Sequence, residues 1–450
     1  RAKADNKAKK HRNVDESLYR EWVDANPTEF VGYDQLTHDA KVIGLVRGGE
    51  KVGEVSQGDE VEVILDVTPM YAESGGQMAD RGRLLMGDTI LNVNDVQRVG
   101  KKLWLHKATV QNGGLDLGST VTAEVDEAWR HGARQAHSAT HLIHAAIRQV
   151  LGPTAVQAGS LNKPGYLRFD FNYTDQLTDA QLEEIATITN QAVDADFAVN
   201  TIETSLDHAK EMGAMALFGE SYGDTVRVVE IGGPFSIELC GGTHVEHASQ
   251  IGPVAVLGES SVGSGARRIE AYSGMDSFKF LSKEAALASG LAAELKAPTE
   301  ELPDRIAQLT ERLSAAEKEI ENLHRQQLLA STANLADEAQ TVGVHRVVAK
   351  QLPEGFTTGD LRTIANDLRG KLQAEDAVIV LLSQVDGKVS LAAAATPQAV
   401  QSGVKAGDLV KLIGQYVDGK GGGKPDLAQG TGANPVGIED ALRAVRESLA

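Results

Sequence analysis

Between Thr28 and Glu127 the apolar positions come in short runs, KVIGLV, EVEVILDV, TILNVNDV, KLWLHKATV and STVTAEV, divided by Gly and Asp turns. Runs of this length at regular spacing predict a small sheet or barrel. Ahead of them, residues 1–26 read as polar helix running into DESLYREWVDAN, closed by Pro27. Behind them, 128–150 (AWRHGARQAHSATHLIHAAIRQV) predicts a helix stopped by Gly152 and Pro153. A strand (YLRFDFNY), a long helix opening at Thr178 (TDAQLEEIATITNQAVDADF) and a mixed stretch to about 274 complete a compact α+β domain.

Residues 276–340 are helical in character, and Ile306, Leu309, Leu313, Ala316, Ile320 and Leu323 recur at spacings of three and four. That is a heptad seam of two to three repeats. It fits an antiparallel hairpin packed on its own chain or a dimer contact, and the pattern alone leaves both open. Beyond 340 the order is strand, helix, strand (VGVHRVVAK, DLRTIANDLRGKLQ, AVIVLLS), then a Gly-rich segment and a closing helix at 437–449. The expected fold class is α+β. A helical lead-in at 1–27 precedes a β-barrel-like part at 28–127 and an α+β core at 128–275. A helical, coiled-coil spacer at 276–340 and a C-terminal α/β globular domain at 341–450 follow.

The chain has 450 residues, of which 42% are hydrophobic and 24% charged, so folded cores are within reach and wholesale disorder is excluded. No apolar run approaches the roughly 20 residues of a membrane span, the best being AVIVLL at 377–382. A single cysteine rules out an intrachain disulfide and favours a cytoplasmic setting. The first residue is Arg1, and a piece of a longer polypeptide is the expectation. The net charge of −19 is uneven: residues 341–450 hold 12 basic and 12 acidic side chains, leaving 32 against 51 in the rest. The first 13 residues oppose that trend, with Arg1, Lys3, Lys7, Lys9, Lys10 and Arg12 against Asp5. An acidic bulk disfavours non-specific binding to polyanions, yet a local basic stripe still holds phosphate.

His137 and His141 stand four apart in HSATH on a predicted helix, so both imidazoles share a face. About 100 residues later LCGGTHVEH supplies Cys240 and, four residues on, His244, with two glycines between them that let the backbone turn tightly. Three imidazole nitrogens and a thiolate fit one tetrahedral zinc ion. His144 and His247, each one turn away, are candidates for substitute ligands or supporting partners. A zincin needs Glu directly after its first histidine, and that position is Ser138, so the zincin reading fails and a peptidase is not expected. GKGGGKPDLAQG fails as a phosphate loop because Pro425 follows Lys424.

Taken together, these motifs resemble the C-terminal half of alanyl-tRNA synthetase. The matching pieces are TEFVGYDQL (28–36), TPMYAESGGQMADRG (68–82), HSATHLIHAAIRQVLG (137–152) and VQAGSLNKPGYLRFDF (156–171). GAMALFGESYGDTVRVVEIG (213–232), ELCGGTHVEHASQIG (238–252), SVGSGARRIEAYSG (261–274) and GGGKPDLAQGTG (421–432) follow in the family's order. The resemblance implies that 28–274 is an editing region that hydrolyses Ser-tRNA(Ala) and Gly-tRNA(Ala). A pocket for alanine cannot sterically refuse glycine and rejects serine weakly. It also implies that the aminoacylation domain, with its ATP site, lies upstream of Arg1, so no aminoacylation is expected from this chain.

By motif, the resemblance carries zinc ligation onto His137, His141, Cys240 and His244, with Cys240 also in a catalytic role. It carries editing and serine recognition onto Gln157. Gly75 and Gly76 allow close backbone approach, either as a wall of the editing cleft that meets the terminal adenosine or as a tight hairpin turn. Arg267 and Arg268 alternate along a strand and point to opposite faces, so one faces a tRNA phosphate or is simply a solvent-exposed or ion-paired arginine. The C-terminal domain resembles the DHHA1 type, in which Lys420 and Lys424, on flexible glycines, would grip the outer corner of tRNA. The expected partners are tRNA(Ala) and a second copy of the chain through the spacer and C-terminal domain, with no membrane and no DNA. The alternatives are a free-standing trans-editing protein and a non-catalytic tRNA-binding or dimerisation module with structural zinc.

Overall fold

The computed structural model describes residues 16–25, 27–100, 102–216, 223–263 and 265–450. The basic run at the N-terminus therefore lies outside the described residues, as does part of the 213–232 motif. The chain divides into two compact units, Arg1–Leu291 and Ala292–Ala450.

In the first unit six antiparallel strands close a barrel. In ring order they are Thr37–Arg47, Glu60–Leu65, Leu103–Asn112, Thr89–Val99, Gly82–Met86 and Thr120–Val125, and the last pairs back to the first. Alternation fills the interior with aliphatic side chains such as Val42, Val63, Leu65, Leu84, Leu91 and Ala123, all buried. Helix α1 (Glu16–Ala25) lies against the outside of this barrel. Tyr19, Leu18, Trp22 and Val23 pack on Val46, Ile64, Val99 and Leu103, and Trp22 Nε1 donates to Ile43 O at 2.9 Å. Gly44 makes room for the indole, since a Cβ there would sit 2.8 Å from it. The helix expected to be a lead-in from an upstream domain is thus part of the barrel's own packing.

Helix α2 (Glu127–Leu151) follows the barrel, capped by Asp126, whose side chain accepts from Trp129 N. Ala136, Ala139, Leu142, Ile143, Ala146 and Ile147 are buried on it, against a four-stranded sheet and helix α3 (Asp179–Asp194). That sheet runs Gln157–Lys163, Tyr166–Asn172, Ala266–Ser273, Val254–Gly263, all antiparallel. A second sheet of three strands, Val199–Ser205, Thr225–Ile231 and Ser236–Leu239, ends immediately before Cys240. Helix α4 (Gly274–Leu295) continues from the first sheet.

The second unit begins within the segment read as a spacer and contains helix α5 (Leu302–Ser331). On it Ile306, Leu309, Leu313, Ile320 and Leu323 are exposed, so the heptad seam is not buried within its own unit. Six strands form one sheet in the order Gln340–Val342, His345–Gln351, Ala377–Val385, Lys388–Ala395, Leu427–Gly432, Gly419–Gly423. Its one parallel pair is joined by helix α6 (Thr358–Lys371), which covers one face with Leu361, Ile364 and Leu368. Helices α7 (Ala406–Tyr416) and α8 (Ile438–Leu449) cover the other. The Gly-rich segment is an edge strand, not a flexible loop. Its glycines admit α7 and the neighbouring strand, because a Cβ on Gly421 would lie 2.5 Å from Val410 and 2.4 Å from Gln429 O. No helix among the described residues is long and apolar enough to cross a membrane.

Inside the barrel, His106 is fully buried, with Nδ1 2.9 Å from Val63 O and Nε2 2.7 Å from Thr68 Oγ1. Burial holds it down at about 4. A folded value below the ordinary 6.5 means this contribution is complete above pH 6.5 and is lost as the pH falls toward 4, about 3 kcal/mol at most. All three tryptophans lie in the first unit. Urea unfolding followed by their fluorescence should show stability falling between pH 6.5 and 4.5, with a flatter slope in His106→Gln.

Candidate metal centre

Spacing along α2 aims His137 and His141 to one side of the helix, and the turn after Ser236–Leu239 brings Cys240 and His244 to meet them. One ligating atom from each of the four lies within 4.8 Å of every other, and His137, His141 and His244 are buried. Cys240 Sγ is 3.4 Å from His137 Nε2 and 3.4 Å from His244 Nε2. Zinc–sulfur and zinc–nitrogen bonds of about 2.3 and 2.0 Å span roughly that separation across a tetrahedron.

The far nitrogen of each ring is held from behind. His137 Nδ1 is 2.8 Å from Gln77 Oε1, which also accepts from Thr243 N at 2.9 Å, so this Nδ1 carries the proton and donates. His244 Nδ1 lies 3.2 Å from Ser138 Oγ, which accepts from Val245 N. His141 Nδ1 is 3.1 Å from Glu238 Oε2, while the other oxygen of that buried carboxylate takes His144 Nδ1 at 3.0 Å and the Ser236 hydroxyl. Each Nε2 is left turned toward the thiol, and neither buried ring nitrogen of His141 makes a hydrogen bond, its Nδ1 meeting Glu238 as an ion pair. An orphaned imidazole nitrogen facing a sulfur and two more such nitrogens is a donor set that fits a zinc ion.

Electrostatics favour the same chemistry. Burial opposes a charged thiol at Cys240, yet the imidazoles of His137 and His244 hold it well below the ordinary thiol range, as thiolate. Burial drives His244 down to about 3, so its ring is neutral with a lone pair to give. Burial also opposes a charged His141, but the Glu238 carboxylate prevails and raises it to about 10. A metal ion and that proton compete for one ring.

The other sequence-predicted residues fall differently. Gly242 is needed because a Cβ would sit 2.1 Å from the His137 ring, whereas Gly241 is uncrowded and neither has a left-handed backbone. His144 is a partner of Glu238, and His247 is exposed and paired with Asp196 at 3.4 Å, apart from the cluster. Gly75 and Gly76 have φ of 56° and 80°, and Gly76 abuts Ser160. Their tight turn delivers Gln77 to His137. Gln157 sits on a strand rather than in a loop, its Nε2 donating to Ser160 Oγ at 3.2 Å. Arg267 is not available as a phosphate contact: its guanidinium is taken by the buried Glu259 carboxylate, as that of Arg268 is by Asp170 at 2.6 and 2.7 Å. Lys420 and Lys424 are exposed on and beside the edge strand of the second unit.

Sequence reading missed Gln77, Ser138, Glu238 and Arg227. Arg227 Nη1 donates to the carbonyls of Cys240 and Gly242 at 3.0 and 2.9 Å and so shapes the thiol's turn. The available signal was Glu238, a buried acid on the short strand SIEL two residues before the cysteine.

Three family models match the chain: "tRNA synthetases class II (A)" over residues 1–129, "Threonyl and Alanyl tRNA synthetase second additional domain" over 226–270, and "DHHA1 domain" over 344–450. The barrel lies inside the first match and the cysteine turn inside the second, both of them regions of tRNA synthetases. The alanine–tRNA ligase of Corynebacterium glutamicum (strain R) is 65% identical over 449 residues, which is 100% of this chain and 51% of that protein. Those of Nocardia farcinica and Mycobacterium avium are 56% and 54% identical with the same coverage. Among solved structures, the C-Ala domain of Aquifex aeolicus alanyl-tRNA synthetase is 26% identical and covers 25% of this chain and 96% of its own, with a TM-score of 0.23. The chain belongs to the alanyl-tRNA synthetase family and spans about half the length of the curated relatives it matches.

Glu238 serves two imidazoles with two oxygens, and Glu238→Gln keeps one acceptor for both. Zinc affinity of that variant should fall by about 10- to 100-fold in chelator competition. Gly242→Ala, whose methyl displaces His137, should lose the ion outright.

Proposed function

We propose that this chain hydrolyses the ester of tRNA(Ala) mischarged with serine or glycine, and that residues 28–275 perform this editing while 341–450 bind tRNA. The observation that carries the reading is the convergence of His137, His141, Cys240 and His244 with every Nδ1 held from outside, inside a chain of this family. These four residues would hold a zinc ion, which when bound polarises a water or a carbonyl oxygen. Gln77, Ser138 and Glu238 fix the ring orientations, and Gln77 joins the Gly75–Gly76 turn to the cluster.

Gln157 discriminates. Its Nε2 is committed to Ser160, which leaves Oε1 to accept from the serine hydroxyl, a bond alanine cannot offer. Glycine lacks that hydroxyl as well, so its removal rests on a pocket too small for the alanine methyl. Four protein ligands normally close a zinc site. Catalysis at the ion therefore requires His244, whose neutral ring is held by one 3.2 Å contact, to yield its place. In the second unit Lys420 and Lys424, on an exposed strand edge, are suited to backbone phosphates of tRNA.

Deacylation of Ser-tRNA(Ala) by the isolated chain, with and without chelator, tests the reading. Cys240→Ser or chelation should slow hydrolysis by more than about a hundredfold. Hydrolysis untouched by either removes the metal from the reaction, and a wild-type chain that binds tRNA without deacylating it favours a binding module with structural zinc. Gln157→Ala should lose about tenfold against serine and less against glycine. Equal losses overturn that role.

A further inference from the structure

Beside the cysteine turn, four aromatic rings meet. Phe30 lies edge-on to Tyr33 at 5.0 Å, contacts Tyr71 at 6.0 Å and stacks within 9° of parallel on Trp104 at 6.0 Å. An arginine stands at each end. Arg98 is 5.6 Å above the Trp104 ring and donates to Ser74 Oγ, while Arg227 is 4.2 Å above the Tyr33 ring and donates to the Cys240 and Gly242 carbonyls. The Tyr33 hydroxyl donates to Gly241 O at 2.8 Å, so the aromatic group is bonded to the very turn that presents the thiol.

These arginines differ from Arg130, Arg267 and Arg268 and resemble Arg134, which among the described residues forms no ion pair and donates to Tyr33 O at 3.0 Å. Arg130, Arg267 and Arg268 each face a carboxylate. Among the described residues Arg98 and Arg227 pair with none. Glu203 stands opposite Arg227 in the strand register but forms no ion pair with it, and Glu73 is engaged by Gln97 at 3.1 Å. In a chain of net charge −19, two cations without counterions on one aromatic group make a local anion site. Arg98 is exposed, and Phe30, Tyr33, Trp104 and Arg227 are partly so. Aromatic faces combined with unpaired arginines are the chemistry of single-stranded nucleic-acid binding, in which bases stack and phosphates pair.

We propose that Phe30, Tyr33, Arg98 and Arg227 seat the unpaired 3′ end of an RNA, the arginines taking its phosphates and the rings a base, so that its terminal ribose reaches the cysteine turn. This rests on the editing reading and adds the residues that hold the polynucleotide. Arg227 has a double part, since it also braces the turn. Arg98 touches no atom of that turn and isolates the phosphate contact.

The test is equilibrium binding of the full chain to a 5′-labelled acceptor minihelix of tRNA(Ala), uncharged, with and without its unpaired 3′ nucleotides, across a salt series. The wild type should prefer the overhang, and Tyr33→Ala should weaken that binding about tenfold. Arg98→Gln and Arg227→Gln should each lower the slope of log K against log salt by about 0.7, the value for one single-strand phosphate contact. Zinc content should be unchanged in Arg98→Gln. Indifference to the overhang, or an Arg98→Gln slope equal to wild type, overturns the proposal. Because no ester is cleaved in this experiment, its outcome stands whether or not the chain deacylates Ser-tRNA(Ala).

Discussion

A guanidinium and a carboxylate withdrawn from water hold the first unit in register. Arg130, one turn into α2, donates through Nε to both oxygens of Asp80 at 3.0 Å and through its other nitrogens to Gly32 O and Pro69 O, and Asp80 accepts in turn from Tyr71 N at 2.7 Å. Both side chains are essentially inaccessible. Such a pair adds little net stability against an apolar replacement, but removing one partner strands a buried charge at a cost of about 3–5 kcal/mol. What the pair supplies here is position. Asp80 sits three residues after Gln77, and Arg130 sits two turns before His137, so the clamp sets the barrel loop at the height on α2 where Gln77 can reach the imidazole. Trp129 reinforces it, with Nε1 on Ala79 O at 3.0 Å and Arg81 stacked 3.8 Å above its ring.

From that register the site follows as a problem of tautomers. An imidazole offers a lone pair to a metal only from the nitrogen that carries no proton, so three rings must each be told which nitrogen to keep protonated. Two elements give that instruction by accepting only, the barrel loop through the Gln77 amide oxygen and the strand Ser236–Leu239 through Glu238, while α2 meets His244 through the Ser138 hydroxyl, which can donate or accept. The instructions differ in strength. A buried carboxylate binds its histidine far more firmly than a serine hydroxyl does. If any ligand gives way during a reaction, the ring backed by the hydroxyl is the one whose departure costs least.

The four side chains of the cluster were legible in the sequence because their grammar is local: a helical i, i+4 pair, and a cysteine and histidine across two glycines. The barrel was legible for the same reason, in five of its six strands. The sixth, Gly82–Met86, escaped because only Leu84 points inward, which leaves no alternation to read. The edge strand Gln157–Lys163 escaped too, having a single buried side chain at Asn162. What the sequence could not show is whatever depends on non-local partners. Arg267 reads as a free cation until Glu259, eight residues away in the hairpin, is seen to occupy it. Gln77 reads as a loop residue until His137 arrives from 60 positions later. The glycines at 419–423 look like flexibility, and only the helix lying on them reveals that the absent side chains are what permits the packing.

Charge is the point at which composition and structure pull in opposite directions, and the contest is settled by distance. A surface carrying 63 acidic against 44 basic residues repels polyanions as a whole. At physiological salt, however, the reach of an exposed charge is only about 8 Å. Several basic side chains of the first unit are neutralised within that distance by a designated carboxylate, as Arg130 is by Asp80 and Arg268 by Asp170. Those that form no ion pair therefore stand out more sharply than they would on a basic protein. An acidic chain with a small cationic site of this kind would discriminate by place, as the proposed seat for an RNA 3′ end requires: a strand is disfavoured over the acidic surface and favoured where its phosphates meet those arginines, beside the thiol.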